Sequence, residues 1–172
     1  IILICMTQKV ALLASGGVDS SVAMGLLKEQ GFEVEAFYLK IWLEDELSFL
    51  GECPWQEDVD YLEKICKQFD VPLHVVPMQK EYFERVVGYT IDSVKKGLTP
   101  NPDVMCNNHI KFGFFLETLP EGFDFVASGH YAQTDEMKGV RCLKQAVDPI
   151  KDQTYFLSQV PFNLLPKILF PI

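Results

Sequence analysis

The chain has 172 residues, 48% of them apolar, which suits a globular domain with a sizeable core and excludes an intrinsically disordered chain. Fifteen Lys and Arg against twenty-four Asp and Glu leave a net charge of −9, which argues against indiscriminate nucleic-acid binding but leaves a local basic face open. Five cysteines, an odd number without a C-x-x-C pair, speak against a zinc site and fit a reduced, cytoplasmic setting.

The opening residues Ile1-Ile2-Leu3-Ile4-Cys5 are apolar but too few for a signal peptide or a membrane span, so no membrane partner is expected. Met6 followed by Thr7-Gln8-Lys9 reads as a natural start. Residues 1–8 are therefore taken as an N-terminal extension and 9–172 as the folded domain. A β-like run, Val10 to Ala14, leads into Ser15-Gly16-Gly17-Val18-Asp19-Ser20, and a helix follows with Val22, Ala23, Leu26 and Leu27 on one face. A strand turning through two glycines into a helix start gathers backbone N–H groups in one concavity, where phosphate oxygens can sit. Ser20 or Ser21 can add a hydroxyl donor. No Gly-Lys-Ser/Thr follows, so this is not a Walker loop, and the third glycine of a dinucleotide fingerprint is absent. Asp19 makes sense at a phosphate turn if Mg²⁺ comes with the nucleotide. The same six residues also fit a plain turn in which Asp19 or Ser15 caps the helix.

Gln30-Gly31 closes the first helix, and Glu33 to Leu39 reads as a second strand, giving a βαβ unit. Trp42 to Pro54 reads as an acidic surface loop. Val59, Leu62, Cys66 and Phe69 mark a second helix, and Pro72 opens a strand over Leu73–Val76. A third helix from Gln79 to Lys95 is expected to bury the stripe Phe83, Val87, Ile91 and Val94. A loop with two prolines, Gly97 to Asp103, ends at Val104-Met105-Cys106-Asn107. The spacing then predicts a helix over 107–119 that buries Phe112, Phe115, Leu116 and Leu119. Phe123–Ser128 is a fourth strand, followed by Gly129-His130-Tyr131 and a hairpin around Lys138-Gly139. Lys151 to Leu157 starts a short helix, and the residues up to Ile172 read as helical. The whole is α/β, a doubly wound parallel sheet. Such sheets bind ligands at the carboxyl ends of their strands, where Ser15–Ser20 and Gly129-His130 both fall.

The turn Ser15 to Ser20 resembles the pyrophosphate loop of the ATP pyrophosphatase enzymes, which cleave ATP between the α and β phosphates. With Asn101-Pro102-Asp103-Val104-Met105-Cys106-Asn107, Gly129-His130-Tyr131 and Lys151-Asp152-Gln153-Thr154-Tyr155-Phe156-Leu157, the chain closely resembles the bacterial tRNA-uridine 2-sulfurtransferases (the MnmA or TrmU family). The four motifs run in order from about Lys9 to the end. The resemblance implies an adenine nucleotide alpha hydrolase-like PP-loop domain that uses ATP and Mg²⁺. ATP adenylates the C2 carbonyl oxygen of the wobble uridine in tRNAs for lysine, glutamate and glutamine. Sulfur brought as a cysteine persulfide by a relay protein then displaces AMP. By position, Ser15, Gly16, Gly17, Val18, Asp19 and Ser20 hold pyrophosphate, with Leu13 and Ala14 at the entry, while Leu39 and Gly129 lie against adenosine. Asn101, Pro102 and Asp103 match the target-base loop, Cys106 the catalytic cysteine, and Lys151, Asp152 and Gln153 a tRNA-contacting segment. The family's full enzymes carry a second, persulfide-bearing cysteine, a central domain and a β-barrel beyond the matched region.

Residue chemistry points the same way. A thiolate is a strong nucleophile at neutral pH, and Cys106 just ahead of a helix would have its pKa lowered by the helix N-terminus. Two prolines stiffen the loop around Asn101, and Asp103 can act as a base or hydrogen-bond a flipped uracil. Blander roles fit too: a core thiol for Cys106, a cap for Asp103, a solvated charge for Lys151. Cys5, Cys66 and Cys142 read as structural, and Cys53 has only a remote chance of reaching the site. His130 orders its loop, whereas His74 and His109 have no nameable partner. Glu44-Asp45-Glu46 is a solvated surface, with Asp45 a possible aid to Mg²⁺. Two other function classes remain open: another PP-loop adenylating enzyme, of amidotransferase or lysidine synthetase type, and a nucleotide-binding remnant without activity.

Overall fold

The computed structural model describes residues 7–41 and 54–172, so the expected loop with Asp45 and Cys53, and Cys5, lie outside the described residues. Strand β1 (Lys9–Leu13) is, from Val10 on, a continuous apolar run buried on both faces, as the central strand of a parallel sheet requires. Helix α1 (Val18–Glu29) carries the chain back to β2 (Glu33–Lys40), and α2 (Pro54–Phe69) to β3 (Leu73–Pro77). Helix α3 is a continuous run of Gln79–Tyr82, a π-form stretch Phe83–Val87, and Gly88–Lys95. Helix α4 joins Pro102–Cys106, a π-form stretch Asn107–Phe114, and Phe115–Thr118. Strand β4 (Phe125–Ser128), a hairpin of β5 (Gln133–Met137) and β6 (Val140–Lys144), and β7 (Ile168–Leu169) complete the order.

The sheet runs β3-β2-β1-β4-β7, every neighbouring pair parallel, and β5–β6 stand apart as an antiparallel pair. This is the doubly wound α/β arrangement expected. One core lies between the sheet and α1 and α2, around Leu12, Met24, Leu27 and Leu62. The other lies towards α3 and α4, around Phe37, Val86, Ile110, Phe112 and Phe115. The hairpin turns through Lys138 and Gly139 at φ 53° and 78°, the mirror-image turn whose twist matches the strands.

Five expectations are corrected. Helix α1 buries Ser20, Ala23, Met24 and Leu27, while Val22 faces solvent, because the inner stripe lies one residue round from the expected one. Helix α3 does the same: Phe83, Ile91 and Val94 are 44%, 44% and 60% exposed, and Val86 and Ser93 face inward. Periodicity sets the spacing of a stripe, but two stripes one residue apart share it, and the slimmer one packs against α4. Helix α4 begins at Pro102, not Asn107, because the Asn101 side chain accepts a hydrogen bond from the Val104 N–H (3.2 Å) and proline suits the first helical position. The stretch from Lys151 gives only a 3₁₀ turn, Thr154–Leu157, and the expected terminal helix is a 3₁₀ segment, Phe162–Lys167, followed by β7. His74 does have a partner: it bonds Glu35 at 2.6 Å, whose other oxygen meets Lys9 at 2.6 Å, and it stacks on Phe37.

Candidate functional site

The chain leaves β1 towards β2 on one side, while β4 lies on the other, so the strand order reverses between the carboxyl ends of β1 and β4. A cavity of about 440 Å³ opens there, within the size range of small-ligand sites. Its floor is the end of β1 (Leu13, Ala14, Ser15) and the end of β4 (Ser128, Gly129). Asp19 and Ser20 come from α1, Leu39 from β2, Asp58 from α2, and Asp103, Cys106 and Lys111 from α4. Thus Leu13, Ala14, Ser15, Asp19, Ser20, Leu39, Asp103, Cys106, Gly129 and Gln153 are brought to one cavity, from stretches up to 140 residues apart in the chain (Leu13 to Gln153).

The turn itself differs from a simple capped one. Gly17 is the N-cap residue of α1 at φ −76°, and it offers no side chain to the first helical N–H groups. Neither Asp19 nor Ser15 replaces it as a cap, so the positive end of α1 stays available to an anion. The serine hydroxyls expected as phosphate donors are engaged elsewhere: Ser20 and Ser21 each donate to the Gly17 carbonyl at 2.9 Å. Ser20 Oγ also accepts from the Ser15 N–H at 3.3 Å, so it braces the turn from within. Gly16 takes φ +78°, and a Cβ there would lie 2.7 Å from the Asp58 carbonyl oxygen. Close approach of the turn to α2 is what demands glycine at this position.

Gly16, Gly17, Val18, Asn101, Pro102, Lys151 and Asp152 do not line the cavity. Val18 points to solvent, and Asn101 and Pro102 serve to start α4. Asp152 is turned to its own loop, accepting from the Ala146 N–H (2.8 Å) and the Thr154 hydroxyl (2.7 Å), which together hold its carboxyl below the usual range. Lys151 Nζ lies 5.9 Å from the centre of the Tyr131 ring. Gln153 is tied to Tyr131 in both directions, its side-chain oxygen accepting from the Tyr131 N–H at 3.0 Å and its own N–H donating back at 2.9 Å. Tyr131 in turn donates its hydroxyl to Asp19 at 3.4 Å, linking this loop to α1.

Cys106 is not ahead of its helix but in the second turn of it, since α4 starts early, and the anticipated help from a helix N-terminus is lost. Burial pushes its thiol up, Lys111 opposes this and Asp103 adds to it. Tyr82, facing Cys106, is likewise pushed up, chiefly by burial. Cys66 is pushed up to about 11 by burial with a contribution from Glu63, as suits a structural thiol. His130 bonds the Ser128 hydroxyl through Nδ1 at 2.8 Å, and burial with nearby Lys111 holds it down at about 3. It is therefore a neutral, loop-ordering group at any physiological pH. Because its folded pKa lies below the ordinary 6.5, unfolding takes up a proton as pH falls from 6.5 towards 3, and stability drops through that window. About 2 kcal/mol should be lost by pH 5 from this group. Denaturant midpoints at pH 7 and pH 5 check this, and His130→Gln should flatten the difference.

Asp58, Tyr82, Lys111, Ser128 and His130 join the cavity without having been singled out in the sequence, apart from the loop role of His130. Asp58 gives no signal in a helix of mixed charge, whereas Lys111 stands five residues after Cys106, off the face a regular helix would present. Among the described residues no cluster of three or more His, Cys, Asp or Glu could hold a metal. Asp19 and Asp58 nonetheless face one cavity, a donor pair suited to a hard cation that brings phosphate oxygens with it.

A parallel α/β domain with its cavity at the point of strand reversal, floored by a glycine turn and a helix N-terminus, belongs to the class of nucleotide-binding folds. The chain itself belongs to the family described as the tRNA methyl transferase HUP domain, whose model matches residues 8–172. A relative named tRNA-specific 2-thiouridylase MnmA, from Porphyromonas gingivalis, is 49% identical over 163 residues, covering 95% of this chain and 45% of its own length. One of the same name from Parabacteroides distasonis is 47% identical, covering 96% of this chain and 46% of its own. The chain spans about half the length of the curated relatives it matches. A crystal structure of a predicted tRNA methyltransferase subunit from Methanocaldococcus jannaschii shares the fold, with TM-score 0.51 and 17% identity over 95% of this chain and 67% of its own. No helix among the described residues is long and apolar enough to cross a membrane.

Proposed function

We propose that residues 9–172 form the PP-loop ATP pyrophosphatase domain of a tRNA-uridine 2-sulfurtransferase. The observation that carries this reading is that Cys106 and Asp103 share one cavity with Ser15 and Asp19 of the glycine turn. The names of the relatives support thiolation over methyl transfer.

In this reading ATP lies across the ends of β1 and β4, with adenosine against Leu39 and Gly129 and pyrophosphate over the turn Ser15 to Ser20. Asp19 and Asp58 would hold a Mg²⁺ brought in with the phosphates, which would supply charge neutralisation. The uridine O2 attacks the α-phosphorus and pyrophosphate leaves. An amide-like carbonyl is a poor electrophile, and adenylation turns its oxygen into a leaving group. The outer sulfur of a cysteine persulfide then bonds C2. As thiolate, Cys106 attacks the inner sulfur, and the disulfide so formed supplies the two electrons that leave the outer sulfur as sulfide. AMP departs as the thiocarbonyl forms, and a reductant restores the thiols. Asp103 accepts a proton or hydrogen-bonds the base. Asn101 and Pro102 shape the loop, and Lys151, Asp152 and Gln153 lie where tRNA passes. The partners are tRNAs for lysine, glutamate and glutamine and a sulfur-relay protein, in the cytoplasm.

The test uses the intact protein with ATP, Mg²⁺, a persulfide donor and unmodified tRNA. Release of AMP and pyrophosphate should require tRNA, and nucleoside mass spectrometry should find 2-thiouridine. Nucleotide binding without tRNA-dependent pyrophosphate release would favour a non-catalytic module. Pyrophosphate release with formation of an amide or amidine, and no thiouridine, would point to the amidotransferase or lysidine synthetase type.

A further inference from the structure

Helix α4 departs from regular geometry at a place that matters to the cavity. Its middle stretch, Asn107–Phe114, is in π form. In a regular α-helix a side chain five residues on lies about 140° round from its start, on another face. A turn closed by i→i+5 hydrogen bonds is wider and brings such a pair closer to one face. Cys106 and Lys111 are five apart, and both line the cavity. The wide turn is built round Gly113, where a Cβ would stand 2.6 Å from the Asn108 carbonyl oxygen.

Lys111 is the cationic side chain of this wall. The other ionisable groups facing Cys106 work against a negative charge on sulfur or leave it unsupported. Asp103 stands on the same helix, Tyr82 comes from α3, and Asp19 and Asp58 close the cavity from α1 and α2. His130 is neutral, and Arg85 of α3 lies over the Phe114 ring, 4.9 Å from its centre. A thiol buried among carboxylates stays protonated at neutral pH unless a cation is held close to it.

We infer that Lys111, carried into the cavity by the π-form turn, is a positioning residue that eases ionisation of the buried Cys106 thiol and so enlarges its nucleophilic fraction. This rests on the reading of Cys106 as the reacting thiol. Burial and, to a smaller extent, Asp103 leave that thiol above its ordinary range, and Lys111 is the group that pulls it back down. A π turn at this point thus has a chemical purpose: it places a cation five residues from the sulfur without interrupting the helix.

The test is the pH dependence of Cys106 alkylation by iodoacetamide, in which the thiolate displaces iodide to give a thioether, read at Cys106 by peptide mass spectrometry. Lys111→Met should raise the midpoint of the rate profile by about one pH unit and slow alkylation at pH 7 about tenfold. Lys111→Arg, which keeps the charge, should stay within about threefold of the parent chain. Gly113→Ala, which closes the wide turn and leaves Lys111 in the sequence, should shift the midpoint in the same direction as Lys111→Met. An unchanged midpoint in Lys111→Met overturns the proposal, and so does an equal shift in Lys111→Arg. Circular dichroism and Cys142 alkylation, unaffected in a folded variant, guard against misfolding as a cause. The assay needs neither ATP nor tRNA. Failure here with thiouridine still formed by the parent protein removes Lys111 alone, whereas a normal shift without any thiouridine removes the sulfurtransferase reading.

Discussion

Replacing Cys106 with serine is expected to cut 2-thiouridine formation by the intact protein on the order of a thousandfold or more, with ATP affinity within about twofold of the parent. A hydroxyl cannot take up the inner sulfur of a persulfide, and at neutral pH it is almost wholly protonated. In the proposed reading the nucleotide lies against a different wall. Ser15 and Asp19 stand at the end of β1 and the start of α1, while Cys106 comes from α4. The proposed adenylation step is therefore expected to survive the substitution, and tRNA-dependent pyrophosphate release should persist in Cys106→Ser while thiouridine disappears. Radiolabelled pyrophosphate release and nucleoside mass spectrometry on the same samples measure the two together. Loss of both in equal measure would make Cys106 a structural thiol, the role that its half-buried position also allows. Retention of thiolation would remove Cys106 from the chemistry altogether.

The second large effect is on the fold. Gly129→Ala puts a Cβ 2.8 Å from the Asp19 carbonyl carbon and 2.8 Å from the Ser20 amide nitrogen. These are main-chain atoms at the start of a helix, so no side chain can swing aside. Overpacking of this kind costs about 3 kcal/mol. For a domain of this size that is a fall of roughly 6–12 °C in Tm by calorimetry. The same contact spaces β4 from α1, so ATP affinity should fall in parallel. Gly17→Ala is the control. There the nearest atom is the Ser15 Oγ at 3.5 Å and φ is −76°, so stability should change by less than about 1 kcal/mol. A large loss in Gly17→Ala, with little in Gly129→Ala, would contradict the packing described for the cavity floor.

Those glycines also show what a sequence can and cannot tell. Gly16 and Gly17 are neighbours in one motif and look alike, yet only Gly16 has a positive φ and a main-chain neighbour, the Asp58 carbonyl. That neighbour lies some forty residues away in the chain, about the distance a second crossover spans, and no local pattern announces it. The order of strands and helices was legible because β1 is apolar from Val10 to Leu13 and the helices alternate with the strands at crossover spacing. The meeting of Ser15 with Gly129 followed from that order, since both stand directly after strands at the carboxyl side of the sheet, whereas Asp103 and Cys106 reach the same cavity from α4, which strand order does not place. The start of α4 was also written in the sequence, as Asn101 followed by Pro102 is a cap and a first helical residue, but two prolines in a row of turn residues suggested a loop. Strand β7 was not legible, because two residues carry no period, and only pairing with Val126 and Ala127 defines it. Lys111 escaped because a 3.6-residue period turns it away from Cys106.

The placing of β1 between β2 and β4 has a consequence for synthesis on the ribosome. Its first neighbour is made within about twenty residues, but its second, Phe125–Ser128, emerges more than a hundred residues after Leu13. At roughly 5–20 residues per second that is a wait of about 6–22 s. Throughout it the most apolar strand of the nascent chain presents an open hydrogen-bonding edge, the usual template for pairing with another chain. The nucleotide cavity shares that delay, because its floor is not assembled until Gly129 has met the start of α1. A nascent chain halted before Phe125 should be prone to capture by chaperones and unable to retain ATP, whereas one halted well past Leu169 should bind it.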